Sequence, residues 1–115
     1  MADYQPLTPA VFHVLLELSG GAKHGYAIMK GVENHTNGAL KMGAGTLYGT
    51  LQRLTEAGWV AEAIPPQSRT ARDEKRRFYR LTAEGRLALG AEVRRLEDLV
   101  RLAKCVQRAP RLARR

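Results

Sequence analysis

Within residues 69–80 the chain places Arg69, Arg72, Lys75, Arg76, Arg77 and Arg80, interrupted among charges only by Asp73 and Glu74. A basic cluster of this density suits a polyanion, because each phosphate it neutralises releases condensed counterions. The plain alternative is a solvated loop that keeps the protein in solution. The charge is segregated along the chain. Residues 1–40 are net −1, residues 41–81 net +4 and residues 82–115 net +5, from 19 Lys and Arg against 11 Asp and Glu.

Other residue types offer less. His13, His24 and His35 fall on two helical patterns and a loop, with no tight pair and no neighbouring Cys, so their spacing does not make a zinc site. Gly43-Ala44-Gly45 hints at a phosphate loop, but no strand precedes it and no GxGxxG or GKS/GKT follows. Cys105 is the single cysteine, so it has no internal disulfide partner. Lys104 and Arg108 would favour its thiolate, yet its apolar neighbours on a helix predict a buried, inert thiol. The activated nucleophile and base of a small enzyme are missing from the sequence. The expectation is a binding protein without catalytic activity, cofactor or metal.

These residues must be positioned by a chain of 115 residues, enough for one small globular domain. Its apolar stretches are a few residues long, far short of the ~20 that cross a bilayer, and the first 20 residues lack a basic start before an apolar run. A cytoplasmic protein is expected, with no membrane partner.

Thr8-Pro9 followed by Val11, Phe12, Leu15, Leu16 and Leu18 predicts a capped helix ending at Gly20-Gly21. A second helix is expected from about His24-Gly25 to Thr36, stopped by Asn37-Gly38, and Met42 to Gly45 reads as a turn. From Thr46 to Ala57, Leu47, Leu51 and Leu54 bury one face of a third helix and leave Tyr48, Gln52, Arg53 and Glu56 on others. The pattern then changes period. Trp59 to Ile64 and Arg77 to Leu81 read as two antiparallel strands, with Trp59 a core residue and the basic cluster at the hairpin tip. Three short helices followed by a hairpin are the element order of a winged helix-turn-helix, whose third helix enters the major groove.

Thr82 is the expected cap of a last helix, in which Leu89, Val93, Leu96, Val100 and Ala103 form a heptad seam and Leu99, Leu102 and Val106 a second row. About 28 residues of helix span roughly 42 Å, more than the small domain can shield. A second subunit is the economical cover; a helix folded back across the first helix is the alternative. Pro110, Arg111, Arg114 and Arg115 form a basic tail.

His24-Gly25-Tyr26-Ala27-Ile28, the run from Gly45-Thr46-Leu47-Tyr48 to Leu54, Gly58-Trp59-Val60, and Arg77-Phe78-Tyr79-Arg80-Leu81-Thr82 with Gly85 together resemble the PadR-like family of winged-helix transcriptional regulators. The likeness covers about residues 7–100, and the single C-terminal helix is similar to the smaller members. The resemblance implies a homodimer held by that helix, bound to palindromic operator DNA and usually repressing transcription. In some relatives a small, often aromatic, compound releases the DNA, and in certain small ones an aromatic residue of the dimer helix stacks on it. This chain departs there, having no Phe, Trp or Tyr after Tyr79. It also has Gly49 where many members have Pro, and Gln52 where Lys is frequent.

The expectation is therefore a mainly α fold with a two-stranded β wing: residues 1–81 a DNA-binding domain, 82–109 a dimerisation helix, 110–115 a tail. Candidate contacts to double-stranded DNA are Thr46, Tyr48, Gly49 and Arg53 on the third helix and Arg69, Arg72, Lys75 and Arg76 on the wing. Tyr26, at the start of the second helix, either holds a phosphate or packs under the third helix. Leu89, Val93, Leu96, Leu99, Val100 and Ala103 are the candidate dimer interface. A small-molecule effector would enter where Phe12, Leu16, Leu89, Val93 and Leu96 converge. The rival functions are a sequence-nonspecific nucleic-acid binder and, in another class, a small enzyme.

Overall fold

The computed structural model describes residues 6–65 and 76–108, so Arg69, Arg72, Lys75 and the tail 110–115 lie outside the described residues. Helix α1 spans Pro9–Ser19, strand β1 Lys23–His24, α2 Gly25–His35, α3 Ala44–Glu56, β2 Val60–Ala63, β3 Phe78–Leu81 and α4 Ala83–Gln107. The starts of α1 and α4 follow directly from sequence. Thr8 Oγ1 accepts from Val11 N at 3.2 Å with Pro9 in the first turn, and Thr82 Oγ1 accepts from Gly85 N at 3.0 Å. Helix α2 stops where Asn37 and Gly38 take φ of 53° and 82°, and Gly58, at φ 85°, ends the α3 turn and releases the chain into β2.

Two expectations about element count and bounds are corrected. The sheet has three strands, in the order β1-β3-β2, all antiparallel: Lys23 and His24 pair with Tyr79 and Phe78 on the edge of β3 that β2 leaves open. A two-residue Lys-His strand carries no local signal; it forms because that edge needs hydrogen-bond partners. Helix α3 begins at Ala44 rather than Thr46, with Gly43 as a cap that makes no side-chain bond, so Gly45 lies in its first turn.

Val14, Leu15 and Leu18 of α1, Ile28 and Val32 of α2, Leu47, Leu51 and Leu54 of α3, and Val60, Tyr79 and Leu81 of the sheet form one buried cluster, with Trp59 packed against its side. Inside this layer lies a charge. Glu17 is 2% exposed; its Oε1 accepts from Lys23 Nζ of β1 at 2.7 Å, and its Oε2 faces Nδ1 of His35 at the end of α2. One carboxylate thus links α1, β1 and α2.

Helix α4 divides into two halves. Its first half packs on α1, with Leu89 in the core and buried Glu92 accepting from Leu7 N at 3.3 Å and from Arg95 Nε at 2.9 Å. Every residue from Glu97 to Arg108 is exposed. Folding back across α1 therefore covers the first turns only. Leu89, grouped with the seam by periodicity, is 7% exposed and belongs to the chain's own core, so the uncovered row starts at Val93. Cys105 is exposed, which corrects the expectation of a buried thiol: its neighbours are apolar, but they lie on the half of α4 that nothing among the described residues covers. Among the described residues no helix is long and apolar enough to cross a membrane.

Candidate nucleic-acid interface

Helix α3 separates its faces as its leucine spacing requires. Leu47, Thr50, Leu51 and Leu54 are buried, whereas Thr46, Tyr48, Gln52 and Arg53 are exposed. Arg53 is steadied from below, its Nη2 donating to the buried Thr50 Oγ1 at 3.4 Å. Gly45 and Gly49 lie along this helix with open space over their α-carbons. A methyl group on Gly45 would touch nothing within 4 Å, and one on Gly49 would meet only Arg53 Nη1 at 3.8 Å. The exposed part of α3 therefore combines hydroxyls, an amide and a guanidinium with stretches of uncovered backbone.

A cavity of about 400 Å³ opens beside it, lined by His24, Gly25, Tyr26, Tyr48, Arg76 and Arg77. Tyr48 reaches it from α3, and its hydroxyl lies against Gly25, the first residue of α2. Tyr26 is 54% exposed and shares the cavity with Tyr48 of α3 rather than being buried beneath that helix. Its ring is flanked by two cations, Lys30 Nζ and Arg76 Cζ, each 5.9 Å from the centroid. His24 Nδ1 caps α2 by accepting from Ala27 N at 3.1 Å, its Nε2 lies 2.8 Å from Arg76 Nη1, and its ring stands edge-on to Phe78 at 5.3 Å. Arg77 pairs loosely with Glu62 on β2, at 3.7 Å.

The fold thus brings Tyr26, Tyr48 and Arg76 into one cavity and sets Thr46, Gly49 and Arg53 along the adjoining helix. His24 and Arg77 were not among the expected contacts. The sequence marks His24 as a helix start and as the head of the His-Gly-Tyr stretch, and its second ring nitrogen meets Arg76 only once β1 pairs with β3. The histidines do not gather: among the described residues no three His, Cys, Asp or Glu side chains are placed to hold a metal ion.

A second surface lies on α4. Val93 is 37% exposed, Leu99, Val100, Leu102 and Val106 about half exposed, and Ala103 exposed, with Leu96 partly buried. A groove of about 530 Å³ runs along it, lined by Phe12 of α1 and by Val93, Leu96, Glu97, Val100, Arg101 and Lys104. Of the residues expected to converge there, Phe12, Val93 and Leu96 do; Leu89 is in the core and Leu16 does not line the groove.

Comparison with known proteins gives the fold its relatives. Residues 14–91 match the transcriptional regulator PadR-like family. The chain is 33% identical over 89 residues to transcriptional regulator Rv3488 of Mycobacterium tuberculosis, a span covering 77% of each protein. Among solved structures, a PadR family regulator from Clostridium difficile superposes with a TM-score of 0.71 at 17% identity, over 87% of this chain and 99% of the other. Bacillus subtilis PadR in complex with operator DNA superposes with a TM-score of 0.59 at 20% identity, over 72% of this chain and 45% of that longer one. At such identities the two structures speak to fold alone. The family match, over residues 14–91, and the Rv3488 likeness reach further: this chain belongs to the PadR-like family of transcriptional regulators.

Proposed function

We propose that the chain is a sequence-specific DNA-binding regulator that works in the cytoplasm as a homodimer and represses transcription from an inverted-repeat operator. The observation that carries this reading is the double membership of Tyr48, which belongs both to the exposed face of α3 and to the cavity lined by Arg76, Arg77 and Tyr26. A helix directed into a major groove needs backbone contacts beside it to fix its register, and this cavity supplies cations and hydroxyls where that backbone would pass. In this reading Thr46 and Arg53 address base edges, with Gly49 allowing close approach. Tyr26, Tyr48 and Arg76 hold the backbone, and the charge of Arg69, Arg72 and Lys75 adds affinity.

The exposed apolar row from Val93 to Val106 supports the dimer, because half of this 25-residue helix is left uncovered by the described residues. Residues 1–81 then form the DNA-binding unit and 82–109 the dimerisation helix. A small-molecule effector enters the groove between α1 and α4; its 530 Å³ is an ordinary size for a ligand site, and it adjoins the seam whose geometry sets half-site spacing. The operator complex of Bacillus subtilis PadR favours the DNA-binding part of this reading.

Genome-wide mapping of bound DNA followed by footprinting tests the proposal. The expected result is an inverted repeat with half-site centres about 34 Å, or a multiple, apart. Operator affinity should exceed random-sequence affinity at least ~1,000-fold. A ratio near one would instead assign a sequence-nonspecific nucleic-acid binder.

A further inference from the structure

The buried leucines of α3, Leu47, Leu51 and Leu54, recur at steps of four and three. A second row of the same spacing, Gly45, Gly49, Gln52 and Glu56, is offset from them by two residues, about 200° round the helix, and so runs along the side opposite the core. Thr46, Tyr48 and Arg53 flank it. The first two members of the row have no side chain, and a methyl group on either would meet no described atom nearer than 3.8 Å. A surface lying against these bare turns therefore meets Gln52 as the first side chain on the outermost line of α3, and Gln52 is exposed.

The Gln52 amide is oriented by its neighbour one turn on. Its Nε2 donates to Glu56 Oε2 at 3.5 Å. A carboxylate only accepts, so Glu56 takes the nitrogen end of the amide and leaves Oε1 and the second N–H of Nε2 to an outside partner. One acceptor beside one donor complements the major-groove edge of adenine, which presents the N7 acceptor beside the N6 donor. Guanine offers two acceptors, N7 and O6, one of which would face Oε1; cytosine offers a single donor. A phosphate fits less well, since it uses only the N–H and brings negative charge beside the Glu56 carboxylate.

We infer that Gln52 reads one adenine of each half-site through N6 and N7, with Glu56 as the positioning residue that holds the amide for it. The inference rests on the DNA-binding reading and adds to it a base, a residue outside the expected contacts and a reason for the two glycines that precede it: a bare helix surface lets the amide of Gln52 reach the floor of the groove.

Selection of bound duplexes from a randomised pool gives the base preference at every position for the wild type and its variants. In Gln52→Ala the preference for A·T at one position per half-site should fall by about ten-fold or more, while the other positions keep theirs. In Gln52→Arg the same position should change from adenine to guanine, whose O6 and N7 suit a guanidinium. Alanine and arginine are good helix formers and the site is exposed, so both variants should melt as the wild type does. Glu56→Ala separates positioning from contact. The amide remains but turns freely, so discrimination at that one position should narrow while affinity for random duplex rises with the loss of the carboxylate.

Replacing the selected adenine by 7-deazaadenine tests the wild-type chain without a mutation. Loss of N7 should weaken wild-type binding and leave Gln52→Ala unaffected, because both changes remove the same contact. A Gln52→Ala protein with the wild-type preference at every position overturns the inference. So does an equal loss on operator and random duplex, which would make Gln52 a backbone contact, and so does a lost preference for any pair other than A·T. Unchanged discrimination in Glu56→Ala overturns the positioning role. A wild type that shows no base preference at any position overturns the sequence-specific reading itself.

Discussion

The hydroxyl of Tyr48, on α3, lies directly against the α-carbon of Gly25, the first residue of α2, and a side chain at position 25 would occupy the space the phenol fills. The His-Gly-Tyr and Leu-Tyr segments are thus two halves of one contact, which holds the second helix of the motif against the third and fixes where the Tyr48 hydroxyl emerges. Gly25→Ala should therefore cost about 1–3 kcal/mol by overpacking and weaken DNA binding as the phenol is displaced. Adding Tyr48→Ala should recover the stability and leave the binding loss. Thermal melts of the single and double variants check this; a Gly25→Ala protein of wild-type stability would mean that Tyr48 has another place to go.

Gly49 is the opposite case. It sits within α3, and a methyl group there would meet only the end of the Arg53 side chain, at 3.8 Å. Glycine in a helix costs about 0.5–1 kcal/mol relative to alanine, and no contact with a described residue requires it here. Gly49→Ala should raise stability by that amount and lower operator affinity, since the bare backbone serves close approach to DNA. Melting and operator titration read the two effects separately. Higher stability with unchanged affinity would show that α3 does not bring this part of its backbone near the DNA.

Much of this was legible in the sequence, and the rest was hidden for identifiable reasons. Caps carried by side chains, Thr8 and Thr82, placed their helices to the residue, whereas Gly43 caps without a side chain and the start of α3 moved accordingly. Periodicity found the buried face of α3, but on α4 it could not say which leucines face the chain's own core, so Leu89 was grouped with residues that are exposed. The burial of Glu17 has no sequence signal because Lys23 and His35, which it meets, come from a strand too short to detect and from the far end of another helix. The cavity was invisible for the same reason. Tyr26, Tyr48 and Arg76 share no spacing, and only the pairing of β1 with β3 brings His24 to Arg76.

The junction between wing and α4 gives a stability prediction with an internal control. Thr82 N donates to Trp59 O at 3.0 Å and Thr82 Oγ1 to Gly58 O at 2.6 Å, which pulls the first turn of α4 onto the start of β2. A methyl group on Gly85 would overlap the Trp59 carbonyl and come within 2.8 Å of Leu81 Cδ1. Because a backbone carbonyl held by a hydrogen bond cannot swing aside, Gly85→Ala should destabilise by about 1–3 kcal/mol. Gly90→Ala, five residues along the same helix and facing only Arg94 Nη1 at 3.8 Å, should instead stabilise by about 0.5–1 kcal/mol. Denaturant titration of the pair separates close packing from helix propensity. Equal effects would show that the junction relaxes around the new group.

The proposed dimer is best tested on a residue that the single chain does not use. Val100 is 53% exposed, so replacing it by Asp removes no core contact and should leave the melting of the isolated subunit within about 0.5 kcal/mol. In a two-fold interface built on α4, the same change buries an unpaired carboxylate from each subunit and should cost the dimer several kcal/mol. Sedimentation should show a wild-type dimer and a Val100→Asp monomer at micromolar concentration. The consequence for DNA follows from linkage: a monomer binds one half-site and loses the effective concentration of the second, so operator affinity should fall by about 100-fold or more, with single half-site affinity unchanged. Leu87, 72% exposed near the start of α4 and outside the seam, supplies the control: Leu87→Asp should leave the assembly intact. If both variants, or neither, altered the oligomeric state, the exposed row from Val93 to Val106 would not be the surface that joins the subunits.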